Sequence, residues 1–223
     1  MSQNRKILLL GAGGHCMSVL DSLITLKLYS DIGIVDRIEE NKEDNWKANH
    51  SVLGIPVVGT DDDLERLYND GYTDAFITVG SLGNTSIRRK LYKKIKEIGF
   101  NIPNIIDESS IISNFVTLGE GNFIGKKVVI NGGISIGNCT IINTSSTIEH
   151  ESIIDDFVHI SPGSILCGNV HIGANTHVGA GSIIKQELTI GSDTIIGMGS
   201  VVISDIKSNA VAFGNPCREV KHE

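Results

Sequence analysis

Residues 142–184 read INTSSTIEHESIIDDFVHISPGSILCGNVHIGANTHVGAGSII, and every sixth one is a branched aliphatic: Ile142, Ile148, Ile154, Ile160, Leu166, Ile172, Val178 and Ile184. The register runs back through Ile136, Ile130, Ile124 and Leu118 to Ile112, and forward through Ile190 and Ile196 to Val202. Chance would produce so long a run with a probability on the order of 10⁻⁹. A repeat of six describes a prism. Each hexad supplies a short strand and a corner, three hexads close one triangular coil, and coils stack roughly 4.8 Å apart through parallel backbone hydrogen bonds. The column two residues earlier is small or β-branched, as in Val128, Thr140, Ser146, Ser164 and Ser182. The column one residue later is rich in turn formers, as in Gly119, Gly125, Asn131, Gly137, Gly173, Gly179 and Gly191. There, glycine or Asn is expected to supply corner angles closed to β-branched residues. Residues 112–207 make slightly more than five coils, and an aromatic content of 5% suits a narrow interior.

Upstream, residues 1–106 alternate short apolar runs with helical patterns, the grammar of a βαβ domain. Strands are predicted at Lys6 to Leu10, Ile32 to Asp36 and Ala75 to Val79. Helices are predicted at His15 to Leu28, around Leu64 and Leu67, and at Ser86 to Ile98, with an edge segment at Ile102 to Ile106. Arg37 to Ser51 is polar, holds the single tryptophan, Trp46, and reads as a surface excursion. The expected order is thus a small Rossmann-like α/β domain over 1–106, an all-β parallel β-helix over 107–207, and a C-terminal cap over 208–223.

The 223 residues carry a formal charge of −7 and are 40% hydrophobic, which suits a soluble core and disfavours nucleic acid or an anionic membrane as partner. The basic run Arg88, Arg89, Lys90, Lys93, Lys94 and Lys96 reads as the solvated face of an amphipathic helix. No run is long enough for a signal sequence or a membrane span, so a cytoplasmic protein is expected. Cys16, Cys139, Cys167 and Cys217 show no metal-ligand or disulfide spacing and read as packing residues.

Three features carry chemistry. His150 follows an inward position by two residues, near a corner, with Glu149 and Glu151 on either side; either carboxylate could orient an imidazole acting as a base. On spacing alone, an exposed structural histidine fits equally well. His159, His171 and His177 precede inward positions, and His159 and His177 fall on adjacent coils; surface positions are expected, and no Cys or carboxylate spacing completes a metal site. Gly11, Gly13 and Gly14 follow a strand and open a helix at His15, where backbone N–H groups can meet a phosphate. Cys16 occupies the place of the third glycine of a dinucleotide fingerprint, which weakens a NAD-dependent reading. Asp36 ends the second strand, where a carboxylate can hold ribose hydroxyls, and Gly80 follows the third.

The hexad pattern resembles the hexapeptide-repeat acyltransferases, whose prism is a left-handed parallel β-helix; the left hand comes from the resemblance, since the general crossover rule favours the right. The whole chain, and above all Asn143-Thr144-Ser145-Ser146-Thr147-Ile148-Glu149-His150-Glu151, resembles bacterial nucleotide-sugar N-acetyltransferases and sialic acid O-acetyltransferases. The resemblance implies acetyl-CoA as co-substrate without a metal, His150 as general base, Glu151 as the carboxylate orienting it, and a homotrimer with sites shared between chains. It implies coenzyme A contacts at Asn143, His159, Gly168, Ala180, Gly197, Met198 and Arg218, with His171 and His177 left as surface residues. It also implies a nucleotide-sugar site at Gly11, Gly13, Gly14, His15, Asp36 and Gly80, where the resembling N-acetyltransferases hold a UDP-linked sugar and where His15 favours a nucleotide-linked amino sugar over sialic acid. A non-catalytic sugar-nucleotide scaffold is the alternative from another class.

Overall fold

The computed structural model describes residues 5–37 and 51–220, so the predicted excursion around Trp46 lies outside the described residues. Two compact units are drawn from Met1–Gly80 with Ser86–Pro103, and from Ser81–Thr85 with Asn104–Glu223.

In the first unit, β1 (Lys6–Leu10), β2 (Asp31–Val35), β3 (Ser51–Val52), β4 (Ile55–Gly59) and β5 (Asp74–Ile77) form a sheet in the order β3-β4-β2-β1-β5. Central β1 pairs in parallel with both β2 and β5, and Ile7 to Leu10 are fully buried, which explains a strand that is apolar on both faces. The helices are α1 (Gly14–Leu26), α2 (Leu64–Asn69) and α3 (Ser86–Ile98). α1 stops short of the predicted Leu28 because Lys27 turns left-handed at φ 51° and returns its N–H to Leu23. The hairpin β3–β4 has no counterpart in the sequence reading. Its two-residue turn is Leu53-Gly54, both at positive φ, without the Asn-Gly signal such turns usually show. The basic helix also departs from expectation, since Arg88 is 2% exposed.

The second unit is a parallel β-helix of two-residue strands. One sheet stacks Ile111–Ile112, Val129–Ile130, Thr147–Ile148, Ile165–Leu166, Ile183–Ile184 and Val201–Val202. A second stacks Thr117–Leu118 through Thr189–Ile190, and a third runs from Ile105–Ile106 through Ile195–Ile196 to the terminal hairpin Val211–Gly214 and Cys217–Glu219. The prism therefore starts before residue 107 and runs past 207. Ile105–Ile106, predicted as an edge of the first domain, pairs with Phe123–Ile124 instead, and Val211–Gly214 adds a parallel rung above Ile195–Ile196.

The hexad column is the core: from Ile124 to Val202 no member is more than 2% exposed. Burial of each such side chain contributes about 1.5–3 kcal/mol. The small column beside it is buried too, and its serine hydroxyls donate to backbone carbonyls. Ser146, Ser164 and Ser182 donate to the carbonyls of Ser161, Gly179 and Gly197.

The corners differ from expectation. Positive φ falls three residues before each core position, at Lys127, Gly133, Cys139, Ser145, Glu151, Phe157, Gly163, Asn169 and onward, and no β-branched residue occupies that column. The glycines that follow core positions have another role. An ideal Cβ on Gly173 would lie 2.5 Å from the amide nitrogen of Ser192, and one on Gly179 would lie 2.5 Å from that of Met198. They are small because the next coil passes directly over them.

Candidate active site

The predicted catalytic pair lies on one edge of the prism. After Thr147–Ile148 the chain turns through Glu149, His150 and Glu151, the last at φ 61°. The left-handed residue throws both His150 and Glu151 outward, with side chains 63% and 72% exposed. His150 Nδ1 lies 3.1 Å from Glu151 Oε2. A carboxylate only accepts, so Nδ1 carries the proton and Nε2 presents a lone pair, the tautomer a general base requires. The two flanking carboxylates are thereby distinguished: Glu149 Oε2 accepts instead from Asn131 Nδ2 at 2.8 Å. Gly168 lies on the next coil beneath the imidazole, and Asn169 N–H donates to the His150 carbonyl at 2.7 Å.

A second edge carries much of the predicted coenzyme A set. Asn143 follows Ile141–Ile142, and Ala180 and Met198 recur in the register of its neighbour Thr144, both exposed. His159 is 8% exposed, with Nδ1 2.9 Å from the Ser81 carbonyl and Nε2 3.4 Å from Asn143 Nδ2. The carbonyl fixes a proton on Nδ1, so the Asn143 amide donates to Nε2 and the ring is held neutral between two fixed partners. His177 packs edge-on against it, with ring centroids 4.9 Å apart. Contrary to the expected surface position, His177 is 9% exposed; burial lowers its pKa, and its Nδ1 meets no hydrogen-bond partner among the described residues. The reason is Ser81–Thr85, a segment distant in sequence that lies along the prism: Gly83 abuts Ile195, and Thr85 Oγ1 donates to Asn175 Oδ1 at 2.8 Å. His171 does stay at the surface, 3.1 Å from Asp155.

Gly197, before Met198, recurs in the register of Asn143 on the same edge; it packs under Phe213, and its carbonyl accepts from the Ser182 and Ser200 hydroxyls. Arg218 is exposed on the terminal hairpin opposite Phe213. Within one chain the His150 edge and the Asn143 edge border the same wall, whose outward Ile165 and Ile183 are 39% and 41% exposed. Among the described residues no group of three or more His, Cys, Asp or Glu could hold a metal ion. Nor is any described helix long and apolar enough to cross a membrane.

In the first unit, Gly11 adopts φ 111°, and a Cβ there would lie 2.7 Å from Val79 Cγ2, so only glycine lets the loop pass β5. Gly13 caps α1 and Gly14 opens it, both facing open space, while a Cβ on Gly80 would lie 3.7 Å from His15 Cβ. Gly11 and Asp36 share a cavity of about 160 Å³ with Arg37, Asp61, Val79, Ile87 and Leu91. The last five escaped the sequence reading. The signal that could have found Asp61 is the run Asp61-Asp62-Asp63 directly after a strand.

Comparison with known proteins bears on both units. Residues 6–95 match the PglD N-terminal domain and residues 151–186 the bacterial transferase hexapeptide, six repeats. Among solved structures, a variant of perosamine N-acetyltransferase from Caulobacter crescentus, in complex with CoA and GDP-perosamine, is 32% identical over 97% of either chain, with a TM-score of 0.87. The acetyltransferase domain of PglB from Neisseria gonorrhoeae, in complex with acetyl coenzyme A, is 32% identical over 98% of this chain and 100% of its own, with a TM-score of 0.85. WeeI from Acinetobacter baumannii, 24% identical with a TM-score of 0.80 over 97% of this chain and 100% of its own, shares the fold. No curated protein sequence matches this chain significantly. The fold class is the expected α/β domain followed by a left-handed parallel β-helix.

Proposed function

Because the chain belongs to the hexapeptide-repeat sugar N-acetyltransferases with a PglD-type N-terminal domain, we propose that it transfers the acetyl group of acetyl-CoA to the amine of a nucleotide-linked amino sugar, with His150 as general base. The observation that carries this reading is the 3.1 Å contact between His150 Nδ1 and Glu151, which supports a basic lone pair on the exposed Nε2.

The acceptor amine attacks the thioester carbonyl, forming a C–N bond, while Nε2 takes the proton that the nitrogen loses. The tetrahedral intermediate collapses with cleavage of the C–S bond, and the imidazolium returns its proton to the departing thiolate, giving coenzyme A and the acetamido sugar. Backbone N–H groups of the prism would hold the developing oxyanion. Glu151 stabilises the transient imidazolium by its negative charge. Asn143 and His159 support a coenzyme A contact, being locked in one tautomer and orientation, and Gly168, Ala180, Gly197, Met198 and Arg218 are assigned to the same ligand through the resemblance.

The enzyme is proposed to act in the cytoplasm as a homotrimer. One prism offers a flat wall between the His150 and Asn143 edges; a second copy laid on Ile165 and Ile183 would bury that wall and turn it into a cleft. Uridine is the base that the resemblance implies, whereas the perosamine enzyme was solved with a GDP-linked sugar.

Thiol release from acetyl-CoA in the presence of UDP-, GDP- and dTDP-linked amino sugars and sialic acid tests the proposal. Release with an amino sugar supports it, and release with sialic acid alone identifies an O-acetyltransferase. No release with any acceptor leaves the scaffold reading. Full activity from a monomer in sedimentation would overturn the shared site.

A further inference from the structure

A second space of about 450 Å³ shares Arg37, Asp61, Ile87 and Leu91 with the cavity beside Gly11 and is also lined by Thr60, Asp62, Lys90 and Lys94. Both spaces open at the carboxyl ends of parallel strands, in the order Gly11 after β1, Asp36 after β2 and Asp61 after β4, which follows the sheet order. A nucleotide whose phosphates meet the loop after β1 and whose ribose meets the acidic residue after β2 extends its base away from β1, toward β4.

There Ile87 and Leu91 face a polar rim of Arg37, Lys90, Lys94 and two aspartates, Asp61 and Asp62. Of the three consecutive aspartates, Asp63 caps its own helical turn by accepting from Thr60 N–H at 2.8 Å and pairs with Arg66 at 3.1 Å. Asp62 is 3.7 Å from Lys94 Nζ, and Lys94 also donates to the Asp61 carbonyl, pinning the backbone. The carboxylate of Asp61 has no hydrogen bond or ion pair among the described residues, though Asp61 lines both spaces. Ile87 and Leu91, one turn apart on α3, supply a face on which a ring can lie.

A carboxylate offers two adjacent acceptors. Guanine alone of the common bases presents two adjacent donors, N1–H and the 2-amino group, which match that fork. Uracil and thymine offer one N–H flanked by two carbonyl oxygens that a carboxylate would repel, and adenine and cytosine offer an amino group beside an acceptor nitrogen. We infer that this cavity takes the nucleobase of the acceptor sugar nucleotide and that Asp61 selects guanine. The inference rests on the nucleotide-sugar reading and replaces the uridine expectation within it.

Isothermal titration of the full-length protein with GDP, UDP, dTDP and IDP tests it without requiring catalysis. GDP is expected to bind at least about ten-fold more tightly than UDP or dTDP, and IDP, which lacks the 2-amino group, more weakly than GDP. In Asp61→Asn, checked for an unchanged melting temperature, GDP affinity should fall about ten-fold or more and the ratio of GDP to IDP affinity should shrink toward one. UDP or dTDP binding more tightly than GDP would overturn the base assignment while leaving sugar-nucleotide acetyl transfer standing. GDP affinity unchanged in Asp61→Asn would remove Asp61 from it. Failure of every diphosphate to bind would overturn the inference together with the nucleotide-sugar reading.

Discussion

The imidazole of His150 fills the space that a methyl group on Gly168 would need: an ideal Cβ on Gly168 would lie 2.5 Å from both Cε1 and Nε2 of the ring. Gly168 is a floor for the base, and its cost of substitution should appear in chemistry before stability. The ring is the exposed end of a side chain and can swing away, so Gly168→Ala should keep its melting temperature within a few degrees. The displaced Nε2 should lower kcat about 10²-fold, the order expected for a misplaced catalytic group. Thiol release and a thermal melt of the same preparation read the two effects; unchanged kcat would refute the floor.

His150→Ala should lower kcat by about 10²–10⁴ with little change in stability, because the side chain is mostly solvent-exposed. Glu151→Gln should retain more activity than His150→Ala, since it removes the charge that steadies the imidazolium but leaves the base in place. Steady-state kinetics across the two variants check the order, and a Glu151→Gln enzyme as inactive as His150→Ala would contradict it.

The two classes of prism glycine should respond differently to a methyl group. Gly181 has φ 67° and open space around it, so Gly181→Ala carries only the left-handed penalty of about 1–2 kcal/mol. Gly173 lies under the backbone of Ser192, so Gly173→Ala must shift a whole coil and should cost about 3 kcal/mol. Urea denaturation decides the order, and a larger loss at Gly181 would show that corner angle, not stacking distance, governs this fold.

Burial depresses the pKa of His177 relative to its unfolded value of about 6.5. The unfolded chain therefore binds more protons as pH falls below that value, and stability declines from there down to the folded pKa. His177→Asn removes this contribution, so its stability should fall less between pH 7 and pH 5 than that of the wild type. Denaturant unfolding at the two pH values measures the difference; an equal loss in both proteins would mean that burial does not lower the His177 pKa.

The prism was legible because its code is local: a branched aliphatic every sixth residue states a strand, a corner and an inward direction at once, and Ile124 to Val202 are buried as that code requires. The corner chemistry was misread by the same locality. Glycine after a core residue suggested a special φ, but the demand comes from a backbone one coil away, and the true left-handed column accepts Lys127, Cys139, Phe157 and Glu187, which carry no turn signature. The His150–Glu151 pair was legible for a related reason, since adjacent residues around a left-handed corner can meet without help from elsewhere.

Sequence by itself thus determined the two architectures, the hexad core and a histidine beside two carboxylates, because each rests on spacing along one chain. Tertiary structure alone decided that Glu151 rather than Glu149 meets His150, that Gly168 floors the ring, that Ser81 holds a buried His159, and that among the described residues the Asp61 carboxylate is the one of its run without a partner. Those relations join groups a coil, a strand or half the chain apart, and a contact at 3 Å depends on where folding brings the second partner.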